Sequence, residues 1–410
     1  MRGHEPAGAL DRQPKPGGGF RVNDATPVLI AGARTSIGRL GGRLSRHAAT
    51  DLGAAVVRAV LRRCPGLAPE YVALGNVVQA GNGQNPARVA AVRGGVSREV
   101  AGVTVNDVCL ASMTAVVHVA RMIGAGEVTT GLAGGFESMS RAPLATAVRR
   151  RRGTTADQDR GEPVDLLEHD GLWCSLDQVG MGVLSDRENE RLGIGRAEQD
   201  AFAAESHRRA HHATVTGRFA HEIDASGLDA PPADDGIRPH STAASLRALP
   251  PAFTPDGTIT AGNASQLSDA AAAGMLARAD RAKALGLPTL AVIEGWANVA
   301  GRDSSLHLMP AAAARRLLER RGLTTSDVGL WEINEAFAGV VLASTDDLGI
   351  DLDNVNVNGG AIALGHPLGA SGFRLVLTLA IEMRRRDVEW GVAAICGGGG
   401  QGEALLLRQP

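Results

Sequence analysis

Apolar residues along the chain fall into short runs of two kinds, and the runs alternate. Pro27 to Ala31, Tyr71 to Val78, Gly102 to Val108 and Val128 to Ala133 are strand-length runs. Between them Thr50 to Arg63 carries helical spacing, and Cys109 to Ile123 is a nearly unbroken apolar stretch of helix length. Strand signals return at Thr289 to Glu294, Gly329 to Ile333, Val355 to Val357 and Val392 to Cys396. Helical ones return at Ala311 to Arg321, Ala336 to Leu348 and Pro367 to Arg385. Such alternation predicts a layered α/β sheet.

The texture changes after Ser140. RRRRGTTADQDRGEP is basic and then polar, Arg196 to Thr216 is helical, and a Pro-rich section runs to Pro255. We read residues 141–266 as an inserted loop domain, residues 26–140 with 267–289 as one core domain, and 290–410 as a second. The two core segments echo each other: strand, special residue, apolar helix, then VTTGLAGGFES in one and GVAAICGGGGQGEALLL in the other. The echo predicts a duplicated unit. Residues 1–25, rich in Pro, Gly and charge with no apolar centre, read as a disordered extension and not a signal peptide. The Arg149–Arg152 run reads either as a phosphate-attracting loop or as a solvated one.

Composition narrows the function. At 410 residues the chain exceeds one ordinary core. A net charge of −2 gives no nucleic-acid footprint. No apolar run approaches the ~20 residues of a spanning helix, so membrane insertion is not expected. The four cysteines, at 64, 109, 174 and 396, form no C-x-x-C pair. That argues against a zinc site and suits a reducing cytoplasm.

Four residues stand out chemically. Cys109 opens the apolar helix, where the helix N-terminus favours thiolate; a buried structural cysteine is the alternative. Asn334, between strand and helix in WEINEAFAGV, either caps the helix or orients a water. His366 lies among glycines in NGGAIALGHPLGASG, just before a proline suited to a first helical turn. Cys396 ends a strand and enters four glycines, whose N–H groups are suited to an oxyanion. A phosphate loop is the rival for that segment, but the Lys-Ser/Thr ending is absent. Together these groups suit acyl transfer with carbon–carbon bond making or breaking.

VNDVCLASM, GGFESMSRAP, AEQDAFAAESHRRA, TAGNASQLSDAAAA, NEAFA, GGAIALGHPLGASG and CGGGGQG resemble, in this order, segments of the thiolase family. The resemblance covers residues 26–408. It implies a duplicated five-layer α/β/α/β/α core with a loop domain that binds CoA, and a homodimer or homotetramer. It implies reversible Claisen condensation between CoA thioesters in acyl-CoA metabolism, with CoA and acyl-CoA as substrates and no permanently bound cofactor or metal. By this resemblance Cys109 is the nucleophile, and His366 activates it and serves an oxyanion hole with a water held by Asn334. Cys396 is the acid/base, and the Gly398 backbone completes a second oxyanion hole with that of Cys109. Met181, Ser265, Ala336 and Phe337 line the pantetheine channel.

Four segments depart from the family pattern: Leu110–Ser112 after the nucleophile, Asp269–Ala273, Gly180 before Met181, and Leu306–Pro310. A decarboxylating ketoacyl synthase would use two histidines where this chain has Asn334 and His366, and would lack Cys396. A thiolase-like subunit that scaffolds a partner enzyme is the other alternative.

Overall fold

The computed structural model describes residues 24–148, 160–224 and 226–410. The proposed extension up to Asn23 and the Arg149–Arg152 run lie outside the described residues. Strand β1 (Pro27–Arg34) leads to helix α1 (Ala49–Arg63), β2 (Tyr71–Gly75), α2 (Pro86–Arg93) and β3 (Ala101–Val105). Then come α3 (Ala111–Gly124) and β4 (Thr130–Ser138). After the intervening segment with α4 (Met181–Leu192) and α5 (Arg196–Val215), β5 (Ser268–Arg278) returns to the same sheet. The second half comprises β6 (Ala291–Ala300), α6 (Met309–Arg321), β7 (Leu330–Ile333), α7 (Ala338–Leu348), α8 (Leu368–Arg386), β8 (Trp390–Gly397) and β9 (Gln401–Arg408).

The nine strands lie in the order β7-β8-β9-β6-β1-β5-β4-β2-β3. Each half repeats one pattern. In the first, β2 runs parallel to β3 and β4, and β4, β5 and β1 follow antiparallel. In the second, β7 runs parallel to β8 and bridges Val355 in parallel, and β8, β9 and β6 follow antiparallel. The expected Val355–Val357 strand is thus a single bridge in the place that β3 holds in the first half. The halves meet where β1 and β6 pair at Val28↔Val292 and Leu29↔Ala291.

Alternation along the strands sorts side chains into layers. Ala393, Ile395, Leu405 and Leu407 face an inner core that also holds Met113, Val116 and Val119 of α3 and Phe373, Val376 and Leu379 of α8. Val392, Ala394, Ala404 and Leu406 face outward to Ala314 and Leu317 of α6. On the other side Ala271, Ala273 and Met275 of β5 face Leu52, Val56 and Val60 of α1. Helices α3 and α8 therefore form a middle layer between two half-sheets, with α1 and α6 outside, which gives the five-layer order. An apolar surface on all sides is what a helix in that layer needs.

Strand β5 runs against local preference. SDAAAAGMLAR is alanine-rich and carries helix propensity, yet it is extended, with all but its last residue buried. It lies between β1 and β4 with helices on both faces, where only small side chains fit. Tertiary packing decides.

Candidate active site

Cys109 sits in the turn from β3 to α3. Asn106 Oδ1 accepts the Val108 N–H at 3.1 Å, and the N–H groups of Leu110 and Ala111 donate to the Asp107 and Val108 carbonyls at 3.0 and 3.1 Å. Val108 holds φ at 48°, a left-handed conformation that a β-branched residue adopts only under constraint. The helix begins at Ala111, with Leu110 as the capping position, so Cys109 lies one step before the cap.

The expected helix-induced thiolate is not what this environment favours. Burial pushes the Cys109 thiol up to about 12, and nearby Glu137 and Asp107 add to the rise. The N–H groups of Cys109 itself and of Gly398 act in the opposite direction by reaching the sulfur. Desolvation outweighs both donors and the helix terminus. The resting group is a thiol.

Cys396 is the last residue but one of β8 and is buried. Its thiol is also pushed up, first by burial and then by the proximity of Cys109. The chain then turns through Gly399 and Gly400, at φ 79° and 72°. A side chain on Gly397 would strike Leu110, so the turn after the second cysteine lies against the turn that holds the first. The four cysteines are free.

His366 immediately precedes Pro367, the capping position of α8. Its Nδ1 lies 2.6 Å from Ser371 Oγ, whose single proton is donated to the Pro367 carbonyl at 2.8 Å. Ser371 must therefore accept from Nδ1–H, which leaves Nε2 unprotonated and able to accept. Burial, followed by Arg374, lowers the His366 pKa to about 3, so the ring is neutral. Arg374 is itself paired with buried Glu332 at 2.9 Å.

Asn334 follows β7 and does not cap a helix. Helix α7 starts four residues later, with Phe337 as its cap. Its backbone N–H continues the sheet by donating to the Ala394 carbonyl at 3.0 Å. Its Nδ2 points to His366 Nε2 at 3.4 Å, and its buried Oδ1 has no protein partner. A buried acceptor of this kind suits a bound water.

Beneath the site lies Glu137, on β4. Its Oε1 accepts from Asn76 Nδ2 (2.9 Å) and the Val78 N–H (3.2 Å), and its Oε2 from the N–H groups of Val77 and Gly369 (both 3.0 Å). Burial raises its pKa to about 7. Four donors occupy its acceptor sites, so the ionised form is the one the pocket fits. The clamp pulls the start of α8 onto β4 so closely that a side chain at Gly135 would collide with the Gly369 carbonyl. Reading the sequence picked out neither Glu137 nor Ser371. An acid within the apolar stretch TGLAGGFES was the available signal.

The four residues expected to line the channel come together. Ala336 and Phe337 pack in one apolar cluster with Leu306, Val340 and Cys396, and Met181 and Ala264 border it. Ser265 donates its N–H to the Ala336 carbonyl at 3.1 Å. Phe253, which the sequence reading passed over, meets Phe337 edge to face at 6.0 Å and remains exposed, as does Leu176 beside Gly399. Among the described residues, no group of three His, Cys, Asp or Glu side chains could hold a metal ion.

Two departures from the family pattern have structural partners. Ser112 Oγ accepts the Phe373 N–H at 3.0 Å, which joins α3 to α8. His307 Nε2 lies 2.8 Å from Asn189 Oδ1 in the interior.

A duplicated α/β core, with Cys109 and Cys396 in adjoining turns and His366 beside Asn334, fits an acyl-transfer class of protein. Family models agree: residues 27–280 match the thiolase N-terminal domain and residues 287–409 the thiolase C-terminal domain. A probable acetyl-CoA acetyltransferase of Mycolicibacterium smegmatis is 45% identical over 391 residues, covering 93% of this chain and all of that protein. The acetyl-CoA acetyltransferase of Cupriavidus necator is 41% identical over 93% of this chain and 99% of its own. The crystal structure of human mitochondrial 3-ketoacyl-CoA thiolase superposes with a TM-score of 0.87 at 34% identity. It covers 94% of this chain and 98% of that one. The chain belongs to the thiolase family and is an acyltransferase. Among the described residues no helix is long and apolar enough to cross a membrane.

Proposed function

We propose that this chain transfers acyl groups between CoA thioesters through an acyl-Cys109 intermediate, making or cleaving a 3-ketoacyl-CoA. The observation that carries this reading is the Gly398 N–H reaching the Cys109 sulfur from the turn that follows Cys396. It supports a single reacting centre made of one thiol, the donors for an oxyanion and the second thiol.

The cycle closes in protons. Cys109 attacks the acyl-CoA carbonyl as its proton passes to His366 Nε2. The tetrahedral oxygen is held by the N–H groups of Cys109 and Gly398. The C–S bond to CoA breaks, and the leaving thiolate takes the proton of Cys396. The Cys396 thiolate then removes an α-proton from a second acyl-CoA. The enolate oxygen is met by protonated His366 and by a water on Asn334. The enolate carbon attacks acyl-Cys109, the Cys109–acyl bond breaks, and Cys109 regains its proton from His366. Reversing these steps gives thiolysis. Two half-reactions on one thiol predict ping-pong kinetics.

We assign CoA to the face marked by Met181, Ser265, Ala336 and Phe337, with the exposed rings and chains of Phe253 and Leu176 at its mouth. The division into two core domains and a loop domain over 141–266, assembly into a homodimer or homotetramer, action without a permanently bound cofactor, and a cytoplasmic setting complete the reading. The test is incubation with mass-tagged acyl-CoAs over a series of chain lengths, followed by peptide mapping. A thioester on Cys109 is expected; no thioester with any chain length would leave only a scaffolding role.

A further inference from the structure

The mechanism above makes no use of an acid next to it, Glu403, which is fully buried on β9. Residue Ile395 of β8, immediately before Cys396, pairs with it in the sheet. Its Oε1 accepts Asn298 Nδ2 from β6 at 2.7 Å, and its Oε2 lies 3.0 Å from Thr114 Oγ1, in the first turn of α3. The same Thr114 oxygen lies 2.8 Å from Asp107 Oδ2, and Asp107 Oδ1 accepts Gln401 Nε2 at 3.3 Å. Asp107 is two residues before Cys109. A continuous set of hydrogen bonds thus ties the loop of one thiol to the hairpin of the other.

Proton counting fixes its state. The Thr114 hydroxyl has one proton and two carboxyl oxygens within bonding distance, so it can satisfy both only by donating to one and accepting from the other. Asp107 is half-buried and Glu403 is not exposed at all, so the proton belongs on Glu403. Burial, opposed by the Asn298 and Thr114 bonds, raises the Glu403 pKa to about 8. Of the charged groups that face it, Asp107 adds to the rise and Arg121, also on α3, works against it.

We infer that Glu403 is a positioning residue: as a neutral acid it donates to Thr114, which donates to Asp107 and so holds the Cys109 turn against the Cys396 hairpin. Ionisation would remove the donor and place a second negative charge beside Asp107, which releases the turn. This inference rests on Cys109 being the acylated residue.

Two measurements on the intact protein test it. Infrared difference spectra between wild type and Glu403→Gln should show a protonated-carboxyl stretch at neutral pH that disappears on the alkaline side. Its absence at neutral pH would overturn the inference whatever the activity. Rapid-quench acylation of Cys109 should then fall in wild type as that stretch is lost, but not in Glu403→Gln, whose amide N–H can still donate to Thr114. A matching alkaline fall in both proteins would also overturn it. Should Glu403→Gln fail to fold, Thr114 carries the test. Thr114→Val should slow acylation about tenfold, roughly 1.4 kcal/mol of barrier, with KM little changed, and Thr114→Ser should restore it. Equal rates in the valine and serine variants would sink the inference. Failure of wild type itself to acylate would instead strike the proposed function and leave the infrared result to stand alone.

Discussion

A thiol with its pKa near 12 and an imidazole with its pKa near 3 do not form an ion pair at rest. In the proposed cycle, proton transfer from Cys109 to His366 accompanies attack on the acyl group, when the Gly398 N–H and its companion gain a charge to stabilise. Cys109→Ala should therefore abolish both acylation and turnover. Cys396→Ala should still form some acyl-Cys109 while losing condensation, which single-turnover labelling beside a ketoacyl-CoA assay will resolve. Equal loss of both steps would contradict the division of roles. Asn334→Ala, which removes the water-holding amide, should lower kcat by about 10²–10³-fold, as measured by steady-state assay. The four principal residues were legible in the sequence because each sits in a short segment of restricted composition. Ser371 was not. Its role depends on a hydroxyl that folds back onto Pro367, and one serine near a helix start looks like any other.

Elements were readable where local pattern and burial agree. The helices over 49–63, 196–215 and 368–386 fall within a residue or two of expectation, since apolar spacing sets them. Strand β5 was hidden because an alanine run has no strand signature until neighbours on both sides demand one. The first turn of α3 was placed too early by two residues, because the apolar run opens with Cys109 and Leu110, which belong to the turn that follows the strained Val108. Glu137, on β4, connects the loop after β2 with the start of α8, and its contribution can be measured. In Glu137→Gln the amide NH₂ must face two of the N–H donors that now meet a carboxylate oxygen. Such a loss costs about 1–3 kcal/mol or more when the partner is charged. The expected result is a lower urea midpoint, together with slower acylation, because both the Asn76–Val78 loop and the start of α8 are released.

The middle layer belongs to both halves, so neither half closes a core alone. A fragment of residues 281–410 would expose the α8 face that packs on α3, and should show no cooperative unfolding by circular dichroism, whereas the intact chain should. His366 gives the whole molecule an acid limit. Its folded pKa is depressed to about 3, below the ~6.5 of an unfolded chain, so its contribution to stability is complete above ~6.5 and is lost as pH falls toward 3. Urea midpoints between neutral and mildly acid pH should fall more steeply in wild type than in His366→Gln. Parallel slopes would mean that other groups set the acid limit. The duplication was audible in the sequence only as a faint echo, since the halves share layout and few residues.

That layout puts Cys109 and His366 in equivalent places, each immediately before the middle-layer helix of its own half. Two identical polypeptides made from one gene would be obliged to carry the same residue at both places. Joined in one chain, the two halves are free to carry a thiol in one place and an imidazole in the other. The chemistry proposed here is therefore a dividend of fusion: it depends on two places related by symmetry having been freed to differ.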